Sequence, residues 1–342
     1  MRAYWIDLLR FLSGVLVISI HTCVASWVSY GQIPTFDWQI INIFMSISMS
    51  WGVPIFVMIS GYVILGRDID TRKFYVSKAK RLIPALLFWS IFYSLFNYFF
   101  FDNSLKDLMW ELTIGLFLSG KTYYHLWYLS MFIWLIAVTP FINKWIKAEK
   151  ITLADLKIVF IICCCYMLFN SLSFVKAAIT PSGIEWYNSF ALNLVYFIAG
   201  YYIGNNSKEI NLSNRFLLTT YFILLSIATL LNYVAVREGI IKDNLILGAG
   251  SIFSFVLPAI VFLVFSRYKA NVASTPAMKL LSELALGMYL VHPFVLYFIQ
   301  KYTNILISNL IIDIIVTITL TTLTSIIAII LLRKMHFGRL IT

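Results

Sequence analysis

Apolar runs of about 20 residues recur from end to end of this chain, and each is long enough to cross the ~30 Å hydrocarbon layer of a bilayer. The hydrophobic fraction of 61% and the charged fraction of 12% also exclude an ordinary soluble domain, in which about 25% of residues are charged. We therefore predict an all-α polytopic membrane protein with a single domain over residues 1–342. The runs predict about ten transmembrane helices, near residues 8–28, 41–65, 82–101, 125–143, 152–169, 189–204, 215–236, 245–266, 280–299 and 305–332.

Lysine and arginine predict the orientation of these helices. Most of the 26 basic residues fall in one set of loops and at the chain ends, which places both termini in the cytoplasm by the positive-inside rule. The net charge of +11 is then a topology signal, and without a soluble basic domain it predicts no nucleic-acid partner. The stretch Leu105–Ser119 is apolar but short and carries Asp107 and Glu111, so we predict an interfacial or re-entrant helix there.

The first predicted helix carries three ionisable residues, Asp7, Arg10 and His21. Such groups are costly inside a membrane and indicate function by default. Arg10 and His21 are separated by about 16 Å of helical rise and about 20° of rotation, so they share one face, and Asp7 lies three residues before Arg10, where it can pair with it. A snorkelling arginine and a packed histidine are the plainer interpretations. The shared face instead indicates a polar path into the helix bundle.

Two further histidines, His125 and His292, fall at a similar predicted depth in the outer half of the membrane, as does Asp313. A neutral imidazole can act as a general base near neutral pH, and hydrogen bonding between helices is the alternative role. The histidines lack a His-x-x-x-His spacing, and the cysteines, Cys23 and Cys163–Cys165, lack the spacing of a zinc site. We therefore predict no metal.

The predicted cytoplasmic loop Arg67–Arg81 ends in a basic cluster, Lys78, Lys80 and Arg81, that runs into the third apolar run. Lys78 and Arg81 are three residues apart and project from one side of a helix. They either anchor the helix at the membrane surface or form a clamp for the phosphates of an anionic cytoplasmic cosubstrate.

The second apolar run contains Pro54, Ser60 and Gly61. Proline and glycine allow a kink and a close approach of helices. Packing is the simpler interpretation of this segment, and a narrow substrate passage is the alternative.

Five segments now stand in order along most of the chain: Asp7-x-x-Arg10 followed by His21, Pro54…Phe56…Ser60-Gly61-Tyr62, Lys78-x-x-Arg81, His125-Leu126-Trp127-Tyr128-Leu129 and Gly287-x-Tyr289-Leu290-x-His292-Pro293. Together they resemble the acyltransferase-3 family of bacterial membrane acyltransferases. The chain departs from the common pattern in having lysine at position 78 and Ala285 where many members have serine.

The resemblance implies an O-acyltransferase, usually an O-acetyltransferase, that takes an acyl group from cytoplasmic acyl-CoA, with acetyl-CoA the usual cosubstrate. The acceptor would be a hydroxyl of a cell-envelope or exported glycan or of a lipid-linked sugar, and the location would be the bacterial cytoplasmic (inner) membrane. By the same resemblance His21 would be the catalytic histidine, Arg10 its essential partner, and Lys78 with Arg81 the acyl-CoA-contacting pair. To these we add Asp7 as a catalytic residue beside Arg10 and Lys80 as an acyl-CoA contact. The predicted substrate-binding residues are His125, Trp127, Ser60, Tyr289 and His292.

Two other functions fit the same residues. A transporter or flippase of a lipid-linked glycan would use the histidines and Asp313 as a proton relay. A structural or sensory membrane protein would tolerate substitution of Lys78 and Arg81 as long as its orientation is kept. Of the three functions we expect the acyltransferase.

Overall fold

The computed structural model describes residues 3–30, 35–101, 104–115, 123–148, 185–237, 251–268, 272–307, 309–335 and 337–342. Within these ranges the chain is helical, with one isolated backbone bridge between Ala3 and Ala273. The predicted all-α class is confirmed. The helices are α1 (Tyr4–Tyr30), α2 (Thr35–Ile64), α3 (Thr71–Phe100), α4 (Leu105–Trp110), α5 (Trp127–Ala148), α6 (Glu185–Asn205), α7 (Asn214–Arg237), α8 (Ile252–Arg267), α9 (Pro276–Leu306), α10 (Leu310–Leu332) and α11 (Gly338–Ile341).

Seven helices in the described part of the chain are long and apolar enough to cross a membrane, namely α1, α2, α3, α5, α7, α9 and α10. The chain is therefore a multi-pass membrane protein. Most of the predicted spans fall on helices. The span 152–169, which includes Cys163–Cys165, the first residues of 245–266 and residue 308 lie outside the described residues. The predicted span 305–332 begins at the end of α9, and its helix, α10, starts only at Leu310. The number of ten spans and the cytoplasmic position of the termini stay predictions.

The largest difference from the predicted boundaries is at the start of α3. We predicted a loop over Arg67–Arg81 and a helix from residue 82, whereas α3 begins at Thr71. The carboxylate of Asp70 accepts a hydrogen bond of 2.9 Å from the Lys73 N–H and so caps the helix. The boundary was wrong because hydropathy falls wherever charges occur, although lysine and arginine are good helix formers and aspartate is a preferred N-cap. The basic cluster therefore stands on a helix.

A helix is present in the described part of the range for which we predicted an interfacial or re-entrant helix, and its position relative to the membrane stays a prediction. α4 begins with a capping box in which Ser104 and Asp107 bond reciprocally, which satisfies N–H groups that a helix start otherwise leaves unpaired. A π-helical turn, Glu111–Gly115, follows directly. Residues 116–119 of the predicted helix lie outside the described residues.

The chain divides into two compact units, Met1–Ile64 with Ile151–Ile326, called here the first unit, and Leu65–Lys150 with Ile327–Thr342, the second unit. In the first unit α2 packs against α1, α6, α7 and α8, and α1 also packs against α9. In the second unit α3 packs against α4, α5 and α11. A single domain for the whole chain stays a prediction.

Glycines set the distance between α2 and α6 in the first unit. A Cβ added at Gly61 would fall on the carbonyl oxygen of Phe197, and one at Gly200 would fall on the carbonyl oxygen of Met58. The two backbones are therefore in direct contact. Small residues at helix crossings allow this approach in membranes, where van der Waals packing and interhelical hydrogen bonds drive helix association. The packing interpretation of the Ser60-Gly61 segment is the one that these contacts support.

Arg267, at the end of α8, holds the connection between α6 and α7. Its guanidinium donates hydrogen bonds to the carbonyls of Ser207 at 2.7 Å and Leu212 at 2.6 Å, to the Asn214 side chain at 3.0 Å, and to the carbonyl of Ile210. Five N–H donors in a rigid fork allow one side chain to satisfy several carbonyls. Arg267 is thus a structural residue.

We expect replacement of Arg267 by alanine to destabilise the protein by about 1–3 kcal/mol, because a hydrogen bond to a charged group contributes about that amount and several are lost together. The matched control is Arg215→Ala, since Arg215 is exposed in the same region. Thermal unfolding in detergent and limited proteolysis of the 206–213 connection measure the effect. Equal unfolding temperatures and cleavage rates in the two variants would contradict it.

The second unit is held together by bonds between distant parts of the chain. The Trp89 indole donates to the carbonyl of Ile341 at 2.8 Å, and the Tyr75 hydroxyl donates to the carbonyl of Ala137 at 2.7 Å. Both donors are on α3. These bonds fix α3 to other parts of the second unit, and the basic cluster of Lys78, Lys80 and Arg81 lies on this helix.

Candidate active site

α1 and α9 meet along a seam of residues spaced three and four apart. This spacing is typical of two helices that cross at a shallow angle and keep the same faces in contact. At its midpoint the seam is closely packed, because a Cβ at Gly14 would lie 3.7 Å from the Cβ of Ala285. The contacts along this seam join Arg10 to Ser282, Gly14 to Ala285 and His21 to His292.

The imidazole rings of His21 and His292 stack at one end of the seam. Their centroids are 5.2 Å apart and their planes are inclined by 24°. His292 is wholly buried, and His21 keeps partial exposure. Protonation of both rings would place two like charges side by side, which is unfavourable.

The backbone of α9 fixes His292. Pro293 lies inside the helix and has no N–H, so it cannot donate to the carbonyl of Tyr289 four residues earlier. The Nδ1 of His292 lies 2.7 Å from that carbonyl oxygen. Since a carbonyl can only accept, Nδ1 carries the hydrogen, and in the neutral ring Nε2 is the acceptor. The segment Tyr289-x-x-His292-Pro293 thus orients one imidazole.

Arg10 lies about three helical turns from His21 along the same seam. Its Nη1 donates to the hydroxyl of Ser282, on α9, at 3.4 Å. Arg10 is half-buried, while Ser282 and Asp7 are buried. The predicted shared face of Arg10 and His21 is present, because both lie on one continuous helix. The pairing of Asp7 with Arg10 stays a prediction.

Ser60 is the predicted substrate-binding residue on α2. Its hydroxyl donates to the carbonyl of Phe56 at 2.9 Å, a common bond for serine within a helix. The Phe56 ring in turn lies 3.7 Å from a Cβ placed at Gly14. Ser60 is half-buried and lies four residues after Phe56, the residue that contacts α1 at Gly14.

The predicted acyl-CoA contacts are on α3, in the second unit. Lys80 and Arg81 are exposed and Lys78 is half-buried. The Lys78 ammonium lies 5.7 Å from the centre of the Phe74 ring, a cation–π contact. Since α3 is helical here, Lys78 and Arg81 do share a side of one helix.

His125 and Trp127 also belong to the second unit. His125 lies in a turn just before α5 and is buried, with its ring edge-on to Tyr93 at 4.9 Å. Trp127 opens α5 and is half-buried. A common depth for His125 and the two histidines of the first unit stays a prediction.

Asp313 has a buried network that does not include the histidines. The Thr317 hydroxyl lies 3.3 Å from its carboxylate, and Thr317 also bonds with Thr303, on α9, at 2.9 Å. These contacts link α10 to α9. We read Asp313 as part of a helix–helix contact.

Within the described ranges, no group of three or more His, Cys, Asp or Glu side chains is arranged to hold a metal ion. One oriented imidazole stacked on a second and a half-buried arginine, all within apolar helices, define a polytopic membrane protein with a polar site among its helices.

The family model for the acyltransferase domain named acyltransferase 3 matches residues 3–333, nearly the whole chain. The chain belongs to this family and is a membrane acyltransferase. Neither a search of curated proteins nor a search of solved structures gives a significant match.

The sequence did not lead us to predict two contacts in the site. One is Ser282 as the partner of Arg10, and the other is the carbonyl of Tyr289 as the partner of His292. The spacing Ser282-x-x-Ala285-x-x-x-Tyr289-x-x-His292 could have indicated the first, since it repeats the spacing on α1. Proline directly after a histidine could have indicated the second.

Proposed function

We propose that this membrane acyltransferase is an O-acyltransferase that moves an acetyl group from acetyl-CoA to a hydroxyl of a cell-envelope or exported glycan, in the inner membrane of a bacterium. The observation that carries the proposal is the stacked pair His21–His292, with His292 oriented by the Tyr289 carbonyl. Acyl transfer to a hydroxyl needs a group that removes the hydroxyl proton, and a positioned imidazole is the commonest such group.

In the proposed reaction His21 removes the proton of the acceptor hydroxyl as the oxygen attacks the thioester carbonyl. The new C–O bond forms, the C–S bond breaks, and the proton passes to the CoA thiolate to give CoA–SH. The stacked ring of His292 packs against His21 and holds its imidazole in place. The reaction consumes one thioester and one alcohol and gives one ester and one thiol, so no other reactant is needed.

The donor has two parts that call for different residues. Its phosphates suit Lys78, Lys80 and Arg81, because guanidinium and ammonium groups bind phosphoryl oxygens. Its acyl-pantetheine arm suits the seam from Arg10 to His21, whose ~16 Å length is of the order of an extended arm.

We expect purified protein to release CoA from acetyl-CoA, and we expect Arg81→Gln to raise the KM for acetyl-CoA about tenfold with little change in kcat. A lost charge-assisted hydrogen bond contributes about 1.5–3 kcal/mol, and 1.4 kcal/mol is tenfold in affinity. A KM effect without a kcat effect is typical of a group that binds substrate and transition state equally. A thiol-reactive dye measures the CoA released.

Arg72→Gln is the matched control, since Arg72 is an exposed arginine on the same helix. A wild-type protein that releases no CoA would contradict the proposed function. Equal KM values in the two variants would remove Arg81 from the donor site.

A further inference from the structure

The seam between α1 and α9 is partly open at two polar positions and closed between them. Arg10 and His21 both keep partial exposure, whereas Gly14, which lies between them on α1, is buried. The ~16 Å from Arg10 to His21 is the path that we propose for the acyl-pantetheine arm. An arm that entered beside Arg10 would meet a closed contact about 6 Å along this path, at Gly14.

Two side chains close the seam at Gly14. A Cβ built at Gly14 would lie 3.7 Å from the Cβ of Ala285, on α9, and 3.7 Å from the Cζ of Phe56, on α2. These are ordinary van der Waals distances, so little more than a methyl group fits over Gly14. Three helices thus meet at this point, and Phe56 is the one bulky residue among the three.

The two closing groups differ in their freedom to move. The Cβ of Ala285 is bonded directly to the backbone of α9, and the Ala285 carbonyl oxygen lies 3.8 Å from the same point. The Cζ of Phe56 is the tip of a ring, and the ring changes position by rotation between staggered rotamers. Opening on the side of Ala285 would require α1 and α9 to separate. Opening on the side of Phe56 requires only a side-chain rotation.

The backbone of α2 is held on both sides of Phe56. A Cβ at Gly52, four residues earlier, would lie 3.2 Å from Val17 on α1, and a Cβ at Gly61, five residues later, would fall on the carbonyl oxygen of Phe197. Packed interiors respond by discrete rearrangements and do not deform continuously. The Phe56 side chain is only half-buried, so there is space beside its ring. The movable part of this contact is therefore the ring.

The gap that the ring would leave suits a linear chain. A phenyl ring is about 3.5–4.0 Å thick, which is the contact distance between carbon atoms, and an extended chain of methylene and amide groups has the same thickness. Gly14 and Ala285 add no side-chain bulk beyond one methyl group. The gap would admit a pantetheine arm and exclude the wider nucleotide part of the donor.

We propose that Phe56 is a gate, whose ring closes the way from Arg10 to His21 and turns aside to admit the acyl-pantetheine arm of the donor. The inference rests on the proposed function for the identity of the arm, and the closure of the seam is tested without acyl transfer. Between turnovers the closed ring separates two polar positions that would otherwise join within the membrane. Packing alone accounts for the contact with Gly14 but predicts no movement of the ring.

Closure is tested by the rate at which a thiol beside the ring reacts with N-ethylmaleimide in detergent-purified protein. The thiol is that of Ala285→Cys, in a background in which the native cysteines are replaced by alanine. We expect Phe56→Ala to raise the rate about tenfold or more, because the closed seam reacts only in the minor population whose ring has turned aside. Phe56→Leu, which removes only the tip of the ring, should also raise it and is used if Phe56→Ala does not fold.

Movement is tested by fluorine NMR of protein with para-fluorophenylalanine at position 56, since this fluorine is bonded to the Cζ that faces Gly14. We expect CoA to shift the resonance, because the pantetheine arm displaces the ring. The nucleotide part of CoA without the arm should leave the resonance unchanged.

Phe44 is the matched control position, since it is a half-buried phenylalanine of the same helix that packs against a separate apolar cluster. Phe56 variants that react with maleimide only as fast as Phe44→Ala, or a position-56 resonance that CoA leaves unchanged, would overturn the gate. Release of CoA from acetyl-CoA by the same protein would then leave the proposed function standing. A shifted resonance without any release of CoA would contradict the proposed function and leave the gate.

Discussion

Replacement of His21 by alanine is expected to lower the rate of acyl transfer by about 10²–10⁴-fold, which is the usual contribution of a general base. The side chain is half-buried and stacks on His292, so its loss removes the proposed proton acceptor and leaves the neighbouring ring without its stacking partner. Turnover of acetyl-CoA by purified protein in detergent measures the effect. The helix itself should persist, because alanine is the best helix former.

The matched control is His336→Ala, since the sequence places His336 beyond the last predicted span and we predict no specific role for it. Both variants are first compared by thermal unfolding, so that a loss of activity is not a loss of fold. A His21→Ala variant that unfolds like the wild type and turns over acetyl-CoA at the same rate would exclude His21 as the base.

Replacement of Gly61 by alanine is expected to prevent correct folding. The added Cβ would occupy the position of the Phe197 carbonyl oxygen, and backbone, unlike a flexible side chain, cannot move aside. Extra methyl groups in a packed core already cost about 1–3 kcal/mol, and α2 and α6 would have to separate along their length. The amount of monodisperse protein in size-exclusion chromatography after detergent extraction measures the outcome.

Gly14→Ala is the matched control, because a Cβ there meets its nearest neighbours at 3.7 Å, an ordinary contact distance. This variant should give a normal yield of monodisperse protein. Equal yields for the two variants would show that α2 and α6 are not packed as closely as the structure has them.

The sequence predicted the features that depend on composition and helical period. Membrane spans follow from runs of apolar residues, and the common face of Arg10 and His21 follows from the helical repeat. Contacts between distant segments could not be predicted in this way. Periodicity places His21 and His292 each on a helix but does not say that the two helices are neighbours.

The start of α3 shows a second limit. A hydropathy profile reports the free energy of transfer of residues into lipid. The basic residues from Arg72 to Arg81 lower this profile, so the predicted span starts after them, although the helix itself includes them. The hydrogen bond of 3.5 Å from the Asn97 side chain to the Glu111 carboxylate shows a third. Asn97 lies on α3, whereas Glu111 begins the π-helical turn after α4, and neither residue has a periodic pattern that would have indicated their contact.

Pro293 has a consequence for how protons travel in this protein. Because the Nδ1 side of His292 is occupied by the main chain of α9, a proton in the proposed reaction would reach or leave this ring only at Nε2. Any other residue at position 293 would supply an amide that competes for the same carbonyl. The imidazole ring could then flip, so that either nitrogen faces the carbonyl, and the helix would no longer fix the orientation of the ring.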